Sequence, residues 1–186
     1  MPRLPDDFLL TQKEYFLLDE SRGNLEYWAG RIVILENNTA RHGRIIMNLG
    51  ALAPKRSSGC GLMTNVGVRA GHRVHFLKPD LMIVCGREEF FNKRQDIITN
   101  PKVIVEVLSS STEGYDKREK LRQYRTIQTL QEYVLISQAE PKVYLYKREN
   151  GEFWSPREIS DLDHSLHLES VKAQIKLAEI YRGLQF

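Results

Sequence analysis

Two acids stand inside apolar runs of this chain. Pro79-Asp80 leads into Leu81-Met82-Ile83-Val84, and Glu106 lies near the end of Lys102-Val103-Ile104-Val105-Glu106-Val107-Leu108. An ionised carboxylate in an apolar interior costs several kcal/mol unless a cation or hydrogen bonds compensate it. Strands this apolar are normally covered on both faces, so an acid within one requires a specific reason. Convergence on one divalent cation would account for both acids together. Magnesium is a hard cation that takes one or two carboxylates plus waters and substrate phosphates. Held there, magnesium or manganese could activate water and offset the charge of a phosphodiester under attack. The plainer alternatives are a turn role for Asp80 after Pro79 and a buried ion pair for Glu106 with a lysine or arginine.

A lysine near the two acids would add positive charge for the attacking water or the phosphate. The segment after the Glu106 strand offers Lys117 and Lys120, with Tyr124 one turn beyond Lys120. Lys120 points the same way as Leu121 and Tyr124 and is the preferred candidate, although Asp116, four residues earlier, could pair with it instead. Lys117 reads as part of a solvated face, and Tyr124 as a packed side chain whose hydroxyl reaches a polar neighbour. His72 with His75, and His164 with His167, have HxxH spacing. Positions three apart on a strand face opposite ways, so neither pair suits a shared zinc.

The elements that must position these groups follow from periodicity and punctuation. Thr11-Gln12-Lys13-Glu14 is a capping box that starts a short helix to about Glu20. Residues 25–35 read as a hairpin with Gly30 at the turn, and a helix capped near Asn37 to Thr39 runs through Ile45, Ile46, Leu49 and Leu52 to Pro54. Strands are expected over 64–69, 73–77, 81–84 and 102–108, with a connecting turn or short helix across the charged segment 87–100. A helix from about Tyr115 to Arg125 follows, then strands over 132–137 and 142–147. Asn150-Gly151 closes a further hairpin, and the tail holds a strand at 173–177 and a helical turn at 178–181. One α/β (α+β) domain over residues 1–186, with a mixed sheet flanked by helices and added hairpins, fits this order.

The 186 residues suffice for one core, and 27 basic against 24 acidic residues give +3. That balance permits nucleic-acid binding without arguing for it. Cys60 and Cys85 form no CxxC pair and are expected to be reduced thiols. With no apolar stretch of about 18–20 residues and no hydrophobic signal core at the start, no membrane span is expected and the protein is expected in the cytoplasm.

Pro79-Asp80, Val105-Glu106-Val107-Leu108-Ser109-Ser110-Ser111-Thr112, Tyr115-Asp116-Lys117-Arg118-Glu119-Lys120 with Tyr124, and Leu130 to Ile136 together resemble the Uma-two family. The likeness reaches back to Leu25-Glu26-Tyr27-Trp28-Ala29-Gly30 and His42, and covers about Leu10 to Tyr181. It implies a restriction-endonuclease-like fold of the PD-(D/E)xK superfamily with a metal-dependent phosphodiesterase site. Asp80 and Glu106 would then be catalytic and metal-binding. Leu108 stands where that superfamily's E-x-K pattern has lysine, and Lys120 looks like the displaced lysine. Glu26 matches an upstream site acid, here on an apparent strand rather than a helix.

The expected function is a hydrolase: an endonuclease using Mg2+ or Mn2+ and acting on DNA as a homodimer. Arg41, Arg44, Lys55 and Arg56 are available for phosphates, or for ordinary solubility. The alternative is a nucleic-acid-binding or interaction protein that retains the fold and cleaves nothing, for which Leu108 is the best support.

Overall fold

The computed structural model describes residues 9–18, 25–35, 38–52, 59–109, 113–149 and 153–186, and its architecture is organised around the strand that carries Glu106. In chain order the elements are α1 (Gln12–Leu17), β1 (Leu25–Trp28), β2 (Arg31–Ile34), α2 (Ala40–Leu52), β3 (Cys60–Met63), β4 (Gly67–Ala70), β5 (His75–Leu77), β6 (Leu81–Cys85), β7 (Ile97–Ile98) and β8 (Val103–Leu108). There follow α3 (Glu113–Tyr115), a π-helical turn (Asp116–Lys120), α4 (Leu121–Tyr124), β9 (Glu132–Ser137), β10 (Val143–Glu149), β11 (Phe153–Ile159), β12 (Ser165–Leu168), a 3-10 turn (Glu169–Val171), β13 (Ala173–Lys176) and α5 (Leu177–Ile180).

Strand β8 lies in the middle of a six-stranded mixed sheet of order β11-β10-β9-β8-β6-β3. It runs parallel to β9 and antiparallel to β6, and all six of its residues are buried. That is why its sequence is a continuous apolar run rather than an alternation. On one face Val103, Val105 and Val107 pack with Ile45 and Leu49 of α2 and Leu177 and Ile180 of α5. On the other, Ile104 and Leu108 pack with Leu121, Tyr124 and Tyr133. Glu106 shares this second face by the two-residue period of the strand.

A second sheet, of order β2-β1-β5-β4-β7, carries Glu26 on β1. Its hairpin turns at Ala29 and Gly30, both with positive φ (49° and 110°), which is the backbone of a type I′ turn. Tyr27 packs with Ile32, Phe76 and Ile97 on one face, and Glu26 and Trp28 take the other. Strands β12 and β13 form a separate antiparallel pair.

The mixed α+β architecture with helices against the sheets is the expected one. The capping box at Thr11 is present, with Thr11 N–H and Glu14 N–H donating reciprocally to side-chain oxygens at 2.7 and 3.2 Å. Several local expectations differ from the structure. Segment 87–100 contains the short strand β7 and no helix. Strands β3 and β12 were not anticipated, because Gly61 and the polar residues around His167 mask them. The reduced-thiol expectation is overturned: β3 pairs with β6 so that Cys60 lies directly opposite Cys85, and the two form a disulfide. The expected turn at Asn150-Gly151 lies outside the described residues, while β10 and β11 on either side of it pair antiparallel. No helix among the described residues is long and apolar enough to cross a membrane.

Candidate active site

The pairing of β6 with β8 brings the two acids together. Leu81 lies opposite Val105 and Met82 opposite Ile104, so extending the register one step places Asp80 opposite Glu106. Directly opposed residues on antiparallel strands share a face and lie close together. Asp80 also completes the strand end: its Oδ2 accepts the Val107 N–H at 2.7 Å. The imidazole of His42, on the first turn of α2, comes within 3.0 Å of the same oxygen through Nε2.

Glu106 is anchored in a parallel manner. Lys120 Nζ donates to its Oε1 at 2.9 Å, and the Tyr124 hydroxyl donates to the same atom at 2.8 Å. Both donors come from one helix, in which the π turn Asp116–Lys120 links α3 to α4. Such π turns are rare and are frequent at functional sites. Here the turn buries Asp116 and Lys120 together, with Tyr124 one turn further on the same side.

Lys120 reaches more than Glu106. Its ammonium also lies 3.1 Å from Glu26 Oε1 and 3.5 Å from Asp116 Oδ1, and all four of these side chains are buried. Glu26 in turn is fully satisfied. Its Oε1 accepts the Lys78 backbone N–H at 2.9 Å. Its Oε2 accepts the Trp28 indole N–H at 3.1 Å and the Tyr115 hydroxyl at 2.9 Å. Lys120 therefore ties β1, β8 and its own helix into one ionic cluster.

The charge balance of this cluster is uneven. Glu26, Glu106 and Asp116 are three carboxylates gathered around one lysine, and the charge of Asp80 also reaches Glu106. Burial pushes the Glu106 carboxyl well above the usual carboxylate range; the Lys120 ammonium opposes this, while Asp116, Asp80 and Glu26 reinforce it. For Lys120 burial alone would favour loss of the proton, but Glu106, Glu26 and Asp116 overcome it and raise the ammonium well above its ordinary value. The same surroundings hold the Tyr124 hydroxyl protonated: burial comes first, then the Glu106 charge. Lysine is thus the fixed cation and tyrosine the fixed donor, and Glu106 is an acid whose charge the fold disfavours.

One oxygen of each central acid is left over. Among the described residues, no hydrogen bond reaches Asp80 Oδ1 or Glu106 Oε2, whereas Oδ2 takes the Val107 N–H with the His42 imidazole 3.0 Å away and Oε1 takes two donors. An open cleft of about 270 Å³ adjoins Asp80, lined by His42, Lys78 and Pro79 together with Leu35, Ile46 and Met47. Among the described residues no group of three or more histidine, cysteine or acidic side chains is arranged to hold a metal. A divalent ion here would accordingly rest on the two carboxylates with water or substrate oxygens completing its shell, the usual manner of magnesium.

Of the residues singled out from sequence, Asp80, Glu106, Lys120 and Glu26 lie in this one region. Glu26 is a fully buried strand residue, and both of its oxygens are occupied. Lys117 pairs instead with Glu113 at 2.6 Å and lies 4.0 Å above the Tyr144 ring. Arg41 is committed within the fold: it donates to the Gln138 and Gln185 carbonyls at 2.9 and 2.7 Å and stacks on Phe186. Arg44 is exposed, and Lys55 and Arg56 lie outside the described residues. Sequence reasoning did not assign Tyr115 and Trp28 to Glu26, nor join Asp116 to the cluster as a third acid. Only the spacing of Asp116 four residues before Lys120 hinted at the last of these.

Comparison with known proteins agrees with this architecture. Residues 12–178 match the model of the Uma2 (Uma-two) family, described as "Putative restriction endonuclease". Two proteins of Synechocystis sp., both named as uncharacterized, are similar to the chain. The protein sll1609 is 31% identical over 150 residues, covering 78% of this chain and 85% of the relative. The protein slr1290 is 29% identical over 181 residues, covering 95% and 94%. Among solved structures, the crystal structure of a "putative nuclease belonging to DUF820" from Anabaena variabilis superposes with a TM-score of 0.75 at 16% identity. That likeness, over 92% of this chain and 97% of the other, shows a shared fold.

Proposed function

Because the chain belongs to the Uma2 family, we propose that it is a divalent-metal-dependent endonuclease that hydrolyses phosphodiester bonds in DNA, working as a single restriction-endonuclease-like domain. The observation that supports this most is the paired pattern of open oxygens. Asp80 Oδ2 accepts the Val107 N–H with the His42 imidazole 3.0 Å away, Glu106 Oε1 accepts from Lys120 and Tyr124, and the other oxygen of each acid has no hydrogen bond from the described residues. Two hard oxygen donors on neighbouring strands, inside a cluster with surplus negative charge, suit Mg2+ or Mn2+.

When bound, such an ion lowers the pKa of water and offsets charge on the phosphate oxygens. The chain's own residues supply the remainder. Asp80 and Glu106 would hold the ion. Lys120 keeps its proton and presents a fixed positive charge beside Glu106, where negative charge grows as water adds to phosphorus and gives up a proton to solvent, while the phosphorus–oxygen bond breaks and the leaving oxygen takes a proton from solvent. Preorganised charge of this kind acts without reorganisation at the moment of reaction. Glu26 and Asp116 hold Lys120 in place, and Tyr115 and Trp28 hold Glu26. A two-fold homodimer would give each strand of a duplex its own site.

Incubating supercoiled plasmid and single-stranded DNA with the purified protein tests this. Cleavage is expected with Mg2+ or Mn2+, abolished by chelation with EDTA and by Asp80→Asn. Binding of DNA with no cleavage under any of these metals would favour a non-cleaving nucleic-acid-binding protein instead.

A further inference from the structure

His42 is the polar group at this site whose geometry the reaction scheme leaves unused. Its position on α2 is set by local chemistry: the His42 backbone N–H donates to Thr39 Oγ1 at 3.1 Å, an N-capping contact that fixes the first helical turn. The ring is buried, with Nε2 3.0 Å from Asp80 Oδ2. A carboxylate oxygen that already takes the Val107 N–H can only accept, so the close approach of the ring is attractive with the hydrogen on Nε2.

The torsion that rotates an aspartate carboxylate is soft and roughly two-fold, and one hydrogen bond leaves it free to swing. The Val107 N–H comes from β8, the strand of Glu106, and the imidazole comes from α2, which lines the cleft. A backbone N–H and an imidazole from different elements, both against one oxygen, restrict its position and the plane of the group. We propose that His42 is a positioning residue for the metal site: by loading Asp80 Oδ2 together with Val107, it turns Oδ1 toward the ion that Asp80 shares with Glu106. This role rests on the metal-dependent reading above. Partners of this kind, which touch a ligand but not the ion, typically contribute 10–100-fold to metal affinity.

Calorimetric titration of Mn2+ into the full chain separates this role from that of a buried histidine satisfied by its nearest acid. Gln places an amide nitrogen near the position of the histidine Nε2, whereas Asn reaches only as far as Nδ1. His42→Ala and His42→Asn are therefore expected to bind Mn2+ about 10–100-fold more weakly, and His42→Gln close to wild type, with thermal unfolding of each variant recorded beside the titrations. Since Gln and Asn are amides of equal polarity, a difference between them reports donor reach and not a general effect on folding. Equal affinity of the Asn and wild-type proteins, or a Gln variant as weak as Ala, would overturn the proposal. Mn2+ binding by wild type that survives in Asp80→Asn would instead overturn the metal assignment itself, and the positioning role with it.

Discussion

Glu106→Gln is expected to fold at least as stably as wild type near pH 8 while losing metal-dependent cleavage. Gln keeps an oxygen that accepts from Lys120 and Tyr124, so the two bonds at 2.9 and 2.8 Å survive. What it removes is the charge the fold disfavours, because burial, with Asp116, Asp80 and Glu26 nearby, holds the Glu106 carboxyl well above the ordinary value of 4.5. A raised carboxyl pKa means that the folded state holds the proton more tightly than the unfolded chain. The stabilising contribution of Glu106 is then full below 4.5 and is lost as pH rises from there toward its native value. The stability difference between variant and wild type should therefore grow in favour of Gln between pH 5 and pH 8, as read by urea unfolding. Activity should move the other way. A carboxylate that holds the metal underwrites several kcal/mol of charge stabilisation, and at about 1.4 kcal/mol per tenfold its loss is about 10³-fold or more in rate. A Gln variant that is less stable at every pH would show that the Glu106 charge is not disfavoured.

Lys120→Met is expected to have the largest effect on stability of any single change at the site. The methionine stem fills the same space, but Glu26, Glu106 and Asp116 lose their shared cation in a buried setting. Breaking a buried ion pair from one side costs about 3–5 kcal/mol, because the charge left behind is uncompensated. In a chain of this length that corresponds to a drop in Tm of about 6–20 °C. Adding Glu26→Gln should recover part of the loss, since it removes one of the stranded charges, and a double-mutant cycle reads that coupling directly. If Lys120→Met unfolds at the wild-type temperature, the ammonium does not compensate the acids. Should it unfold early but cut DNA at the wild-type rate, Lys120 serves the fold and not the reaction.

These contrasts show which parts of the site were legible in the sequence. Asp80 and Glu106 were legible because an acid in a continuous apolar strand has few inexpensive explanations, and the antiparallel register that opposes them needs only neighbouring strands. Lys120 followed from helical periodicity with Leu121 and Tyr124. The partners that hold these groups were not legible, because each comes from a distant element. Glu26 meets Lys120 across 94 positions through the placement of β1 against the π turn, and nothing near Leu25-Glu26-Tyr27-Trp28 announces that contact. His42 meets Asp80 through the packing of α2, which its apolar stripe of Ile45 and Leu49 sets without reference to the histidine. Cys60 and Cys85 pair because β3 lies beside β6, and Gly61 hides that strand from a propensity reading. Local pattern thus marks the groups with unusual chemistry, and long-range packing decides what each of them touches.

The central claim is that Asp80 and Glu106 hold one divalent ion between them. Anomalous scattering from crystals soaked in Mn2+ tests it most directly. One peak is expected per chain at about the 2.1 Å hard-cation distance from both Asp80 Oδ1 and Glu106 Oε2, absent in crystals of the Asp80→Asn variant. No peak at these oxygens in crystals that cleave DNA with Mn2+ in solution, or a peak that persists without Asp80, would contradict it.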